Sequence, residues 1–229
     1  MNIKLTKATK VVLVPFDEIP LSNLLPQEHL ERLGRLFGFR NVEIAKTAGQ
    51  VGIVFEHGVF DTELHSRAID KLEISERKIV LTVEGTSENA DELLAELEAH
   101  LLDLSNAEGE QLLHPILESH ESEIVAQLDF SVEDLLSPTY FDFVRNTVQQ
   151  EANSDIASAT IQPVTLQFRV DYLLKDESIQ EQRISLSPKV FSLEPRRGSL
   201  LADRIYYSKA PFDTDTHLRL LKELETRFA

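Results

Sequence analysis

The sequence predicts an α+β fold, mainly antiparallel sheet covered by helices, from three observations. Val164, Leu166, Phe168, Val170 and Tyr172 alternate with Thr165, Gln167, Arg169 and Asp171, the period of two expected of a strand with one wet face. Ala90, Leu93, Leu94, Leu97 and Leu101, and later Leu218, Leu221, Leu224 and Phe228, recur at spacings of three and four, which is a helix with one apolar stripe. Two pairs of strand-like runs are joined by turns too short for a crossover helix, so their strands are antiparallel.

Taken in order, residues 11–16 read as a buried strand, with Pro15 placing its end at an edge or terminus. Pro26 opens a helix that turns Leu30, Leu33 and Phe37 to one side and stops at Gly38. Val42 and Ile44, then Val51, Ile53 and Phe55, form a hairpin about Gly49-Gln50. A second hairpin sets Leu72 and Ile74 against Ile79, Leu81 and Val83, with residues 75–78 as its turn. Ser87 is placed to cap the Leu-rich helix that follows.

Residues 104–123 hold Asn106, Gly109 and Pro115 among acids and have no clean period, so they read as a connector between a first half (1–103) and a second half (124–229). The second half begins with a strand over 124–130 and a helix opened by Ser137-Pro138 that faces Phe141, Val144 and Val148 inward. The alternating strand follows, Ile184 and Leu186 continue the sheet to Pro188, and residues 200–208 add a strand. Asp213 or Thr214 caps the last helix. Each half therefore reads strand, helix, three or four strands, helix. Residues 93–101 match 220–228 at an offset of 127, sharing Leu, Leu, Glu, Leu and Glu, so two pseudo-repeats are expected. The order of elements resembles the saddle of TATA-box-binding-type folds, which implies two sheets joined in one curved surface. Binding DNA on such a surface would require a basic concave face, and this chain is acidic.

The 39 acids outnumber 23 bases, and the excess has one location. Residues 79–144 contain sixteen acids and no Lys or Arg, so the rest of the chain is balanced at 23 against 23. Such a charge disfavours phosphate backbones and anionic membranes and favours basic partners. With no cysteine there is no disulfide or thiolate site in this sequence, and with no long apolar run neither a signal peptide nor a membrane span is expected. A cytoplasmic location is expected.

No phosphate loop, dinucleotide fingerprint, nucleophile elbow or paired-histidine metal helix occurs. No cofactor, metal or catalytic residue is assigned. The candidate partner-binding residues are Glu88, Glu92, Glu96, Glu98, Glu108 and Glu110. The first three form a like-charge i,i+4 ladder, which costs ~0.2–0.5 kcal/mol per pair and needs a reason to persist. Arg196, Arg197 and Arg204 lie in a basic run with Arg183, Lys189 and Lys209 and are candidates for binding an anion, or for docking on the chain's own acids. His114, Glu118, His120 and Glu121, and Glu56, His57, Asp61, Glu63 and His65, are two groupings of imidazoles with carboxylates. They would supply acid–base groups if a site lay between the halves.

The expected function is non-enzymatic binding: an acidic surface offered to a basic protein, as an adaptor or nucleic-acid mimic, or to another copy of the chain. A small-ligand site or enzyme between the halves is the alternative, and anion or nucleic-acid binding at Arg196-Arg197 a second.

Overall fold

The computed structural model describes residues 1–47, 50–61, 66–105, 112–151, 161, 163, 165–171 and 188–229. The fold is α+β: among the described residues, a nine-stranded antiparallel sheet with five helices packed on it. In chain order the strands are β1 (Asn2–Leu13), β2 (Asn41–Thr47), β3 (Gln50–Asp61), β4 (Ser66–Ser75), β5 (Lys78–Glu84), β6 (Leu117–Gln127), β7 (Leu166–Val170), β8 (Lys189–Pro195) and β9 (Ile205–Ala210). The helices are α1 (Leu21–Leu24), α2 (Gln27–Leu36), α3 (Ser87–Ser105), α4 (Pro138–Glu151) and α5 (Thr214–Phe228).

The strands lie in the order β2-β3-β4-β5-β1-β6-β9-β8-β7. Each half folds back so that its first strand ends at the middle of the sheet, and β1 pairs with β6 there through Lys7↔Glu123 and Thr9↔Glu121. β1 is thus a central strand that begins well before residue 11, not an edge. Its inward residues Ala8 and Val12 are fully buried with Ile53, Phe55, Leu72, Ile74, Leu81 and Val83 beneath Leu93, Leu97 and Leu101 of α3. A second, smaller core gathers Ile124, Leu128, Phe130, Phe191, Leu193, Tyr206 and Leu221.

Several boundaries differ from expectation. β6 starts at Leu117, inside the stretch read as a connector. Pro26 is the cap before α2, and the short α1 precedes it. Residues 201–203 form a single 3-10 turn before β9. In α4 only Phe141 is buried, Val144 is half-buried and Val148 is exposed, so that helix does not turn all three inward. The residues of the first hairpin turn, 48 and 49, fall outside the described residues, as do Val164, Tyr172, Ile184 and Leu186.

Ser87 does not cap α3. The N–H of Thr86 is held by Asn89 Oδ1 at 3.1 Å, and Ser87 instead reaches α5. Its N–H donates to Thr214 Oγ1 at 3.0 Å while the Thr214 N–H donates to Ser87 Oγ at 2.9 Å. These two residues are 127 apart, the offset seen in the sequence. Asp213, 127 after Thr86, is the cap of α5 and accepts the Thr216 N–H at 2.8 Å. Glu98 accepts the backbone N–H groups of Leu112 and Leu113 at 2.9 and 2.8 Å, and Glu225, again 127 later, accepts that of Asp129 at 2.9 Å. α3 and α5 are therefore related in contact and register. A repeat of the whole half is not shown: five strands precede α3 and four precede α5 among the described residues.

Candidate binding surface

Once Ala90, Leu93, Leu94, Leu97 and Leu101 are turned into the core, helical geometry sends Glu88, Glu92 and Glu96 outward, and all three are exposed. Most other acids of the basic-free block have been neutralised. Asp91 and Glu118 each receive Lys10 Nζ at 2.7 Å. Burial would lower the Lys10 ammonium, but the two carboxylates outweigh it and hold the group above its ordinary value. Asp103 meets Arg32 at 3.3 Å, and Asp142 meets Arg145 at 3.5 Å. Glu98 is occupied by backbone N–H groups, so it belongs to the scaffold and not to a docking face. Glu108 and Glu110 lie outside the described residues. Among the described residues, no Lys, Arg or His stands within ion-pair distance of Glu88, Glu92 or Glu96.

The two lysines of the basic run are spent on the molecule's own acids. Lys189 pairs with Glu121, and Lys209 bridges Glu121 at 3.2 Å and Glu123 at 3.6 Å. Burial would raise the Glu121 carboxyl, but the two ammonium groups overcome this and hold it below its ordinary range. Lys7–Asp70 and Lys78–Glu73 make similar pairs across the open face of the sheet. Burial, then Glu123, pushes the Tyr207 hydroxyl upward on the same face. Such cross-strand pairs stabilise a wet sheet face and leave no uniformly basic saddle.

Arg196 and Arg197 are exposed at the tip of the β8–β9 hairpin, where the Arg196 N–H donates to the Ile205 carbonyl at 2.8 Å. Arg204 is set apart from them: its backbone is left-handed (φ 51°) and its guanidinium donates to the Asp129 carbonyl. Arg183 lies outside the described residues.

The two histidine groupings separate. His114 is exposed beside Glu18, its Nδ1 3.2 Å from the carboxylate. His120 lies on the helix-covered face of β6 opposite Lys10, with Nε2 3.6 Å from Asp91 and a buried Nδ1 without a hydrogen-bond partner. His57 is exposed at a positive φ of 58°, and Asp61 accepts from Ser66 Oγ. Glu63 and His65 lie outside the described residues.

The histidine of greatest structural consequence is one the sequence did not single out. His217 of α5 is fully buried, with Nδ1 2.8 Å from Ser122 Oγ and Nε2 2.8 Å from Ser208 Oγ. These hydroxyls also reach the carbonyls of Phe212 and Ser192. A neutral ring supplies one N–H, so one serine must turn its proton to the ring. Burial pushes His217 down to about 4. The arrangement has serine and histidine but no access for a substrate, so it is a polar core that ties α5 to β6 and β9. Its position was legible: Ala90, 127 residues earlier, is on the buried stripe of α3.

No protein-family model matches the chain, and no curated protein matches it. Among the described residues, no three His, Asp or Glu side chains are grouped as a metal site, and no helix is long and apolar enough to cross a membrane.

Proposed function

We propose that this is a non-enzymatic binding protein and that the outer face of α3, through Glu88, Glu92 and Glu96, receives a basic segment of a partner protein. The supporting observation is the corresponding ladder on α5. At the offset of 127 the residues are Asp215, Arg219 and Glu223, all exposed. There a base sits between two acids, the arrangement that stabilises a helix. On α3 the base is replaced by Glu92, and the helix dipole offsets part of the repulsion only near Glu88. Scaffold stability favours the α5 pattern, so the α3 pattern fits a surface shaped for a ligand. Attraction of this kind speeds association and is weakened by salt.

The test is capture from a lysate at low and high salt, comparing the chain with a variant carrying Glu88→Gln, Glu92→Gln and Glu96→Gln. The reading expects a basic protein retained by the parent at low salt and released both by salt and by the substitutions. Retention that ignores the three carboxylates would sink it.

A small-ligand site between the halves is a second reading, favoured by the unpartnered Nδ1 of His120 beside Lys10, Asp91 and Glu118. A crystal soaked with small carboxylates and amines that showed density at this nitrogen would favour it, and unchanged density with every compound would remove it.

A further inference from the structure

The nine-stranded sheet ends in β2, whose outer edge is unpaired among the described residues. β2 pairs with β3 without a register shift and contains no proline or glycine. A regular, unbroken edge of this kind presents a row of free backbone N–H and C=O groups to an incoming strand. Glu43, an exposed charge on it, limits indiscriminate pairing without blocking the edge.

Behind that edge lies a groove of about 680 Å³ between β2 and α2. Its apolar lining is Leu30, Phe39, Val42 and Ile44, and its polar rim includes Glu31 and Arg35. Val42 and Ile44 are 43% and 44% exposed, two residues apart on the same side of the strand. Gly34 opens the groove: a Cβ built there would come no closer than 3.9 Å to Val42. Along the groove, Arg35 therefore lies toward Val42, and Glu31, one helical turn earlier, toward Ile44.

We propose that this edge and groove bind an extended peptide segment of another protein by strand addition, antiparallel to β2. The edge dictates an extended backbone. The groove takes alternate side chains, and the Val42–Ile44 spacing calls for apolar residues at those positions. The rim gives the segment a polarity of charge: a base near its start, facing Glu31, and an acid near its end, facing Arg35. This surface is separate from the α3 ridge and stands or falls without it.

The test uses a fluorescent, N-acetylated and C-amidated heptapeptide, Lys-Thr-Val-Thr-Ile-Thr-Glu, whose first, third, fifth and seventh side chains share the groove face, and its charge-reversed counterpart, Glu-Thr-Val-Thr-Ile-Thr-Lys. Anisotropy titration is expected to favour the first by about tenfold, and amide exchange at residues 41–45 to slow when it binds. Ile44→Asp, at a half-exposed position, is expected to weaken binding at least tenfold while the chain still unfolds cooperatively at a modestly lower melting temperature. Exchanging the rim charges by Glu31→Arg with Arg35→Glu is expected to invert the preference between the peptides. No binding of either peptide, equal affinity of the parent and Ile44→Asp, or a preference that survives the rim exchange would overturn the proposal. So would sedimentation showing a dimer that Ile44→Asp dissolves, which would give the edge to a second copy.

Discussion

α3 and α5 start at contacts 127 residues apart and use the same glutamate position to hold a neighbouring backbone, yet they solve burial and exposure differently. On the inner side, α3 buries Ala90 where α5 buries His217. On the outer side, α3 carries three glutamates where α5 alternates acid, base, acid. The inner difference is a matter of packing, and the outer one is not. A small residue on α3 lets the helix sit on the apolar strands β1 and β5, whereas the imidazole on α5 is accommodated by Ser122 and Ser208. Within α3 itself Glu92 makes one long, exposed contact, accepting from Asn89 Nδ2 at 3.4 Å, and nothing in the core calls for an acid rather than a base at that position.

The inner difference is broken most severely by Ala90→His. The inward residues of β1 and β5 near α3 are Ala8, Lys10, Val12, Ile79, Leu81 and Val83, and the only polar one, Lys10, is committed to Asp91 and Glu118. Overpacking and an unpartnered imidazole together should cost about 3–5 kcal/mol in urea unfolding. His217→Ala should cost less, about 2–3 kcal/mol, because each serine keeps a carbonyl partner after the ring is gone.

The same position gives the two halves different responses to acid. His217 is pushed down to about 4 by burial, against an ordinary 6.5 in the unfolded chain. Between these values the unfolded state binds the extra proton, so stability is present above about pH 6.5 and is lost as pH falls toward 4. The full shift is worth about 3 kcal/mol. From pH 7 to 4.5 the parent should therefore lose about 2–3 kcal/mol more than His217→Leu, measured by urea midpoints. Equal losses would mean that the buried ring is not held neutral.

How far the sequence could be read follows from the same contrast. Strands β3, β4 and β5 and the helix α3 were legible because their inward faces are apolar at regular spacing, and their turns are short. The start of β6 was not, since Glu118, His120 and Ser122 face the helices while Glu121 and Glu123 face solvent. Every position from 118 to 123 is polar, and the partners that satisfy them, Lys10, Asp91, His217, Lys189 and Lys209, come from distant parts of the chain. Attraction between the basic run and the acidic block was legible as charge, but not that, among the described residues, only Lys189 and Lys209 would pair there while Arg196 and Arg197 stay exposed. Of the candidate carboxylates, sequence could not tell Glu98, turned to backbone N–H groups, from Glu92 and Glu96, since all three are glutamates on one helix.

The junction of the two helices offers a finer test. Ser87→Ala and Thr214→Ala should each cost about 1–2 kcal/mol, as loss of a helix-start hydroxyl does. The hydroxyls serve each other's N–H groups, so the double variant should cost about 1 kcal/mol less than the sum. Strict additivity would show that the two helix starts are held independently.

The smallest effect on stability discriminates most about function. Glu92→Arg gives α3 the pattern of α5, replacing two repulsive i,i+4 pairs by Glu88–Arg and Arg–Glu96. Each conversion gains a few tenths of a kcal/mol, so the variant should be stabilised by about 0.5–1 kcal/mol. A helix selected only to cover the core would be improved by the change and lose only the long contact from Asn89. On the reading offered here, the more stable protein binds its basic partner more weakly, and both the affinity and its dependence on salt fall together. Measuring unfolding and binding on the same variant separates the two: a gain in stability with unchanged capture would return Glu88, Glu92 and Glu96 to the role of a solubilising face.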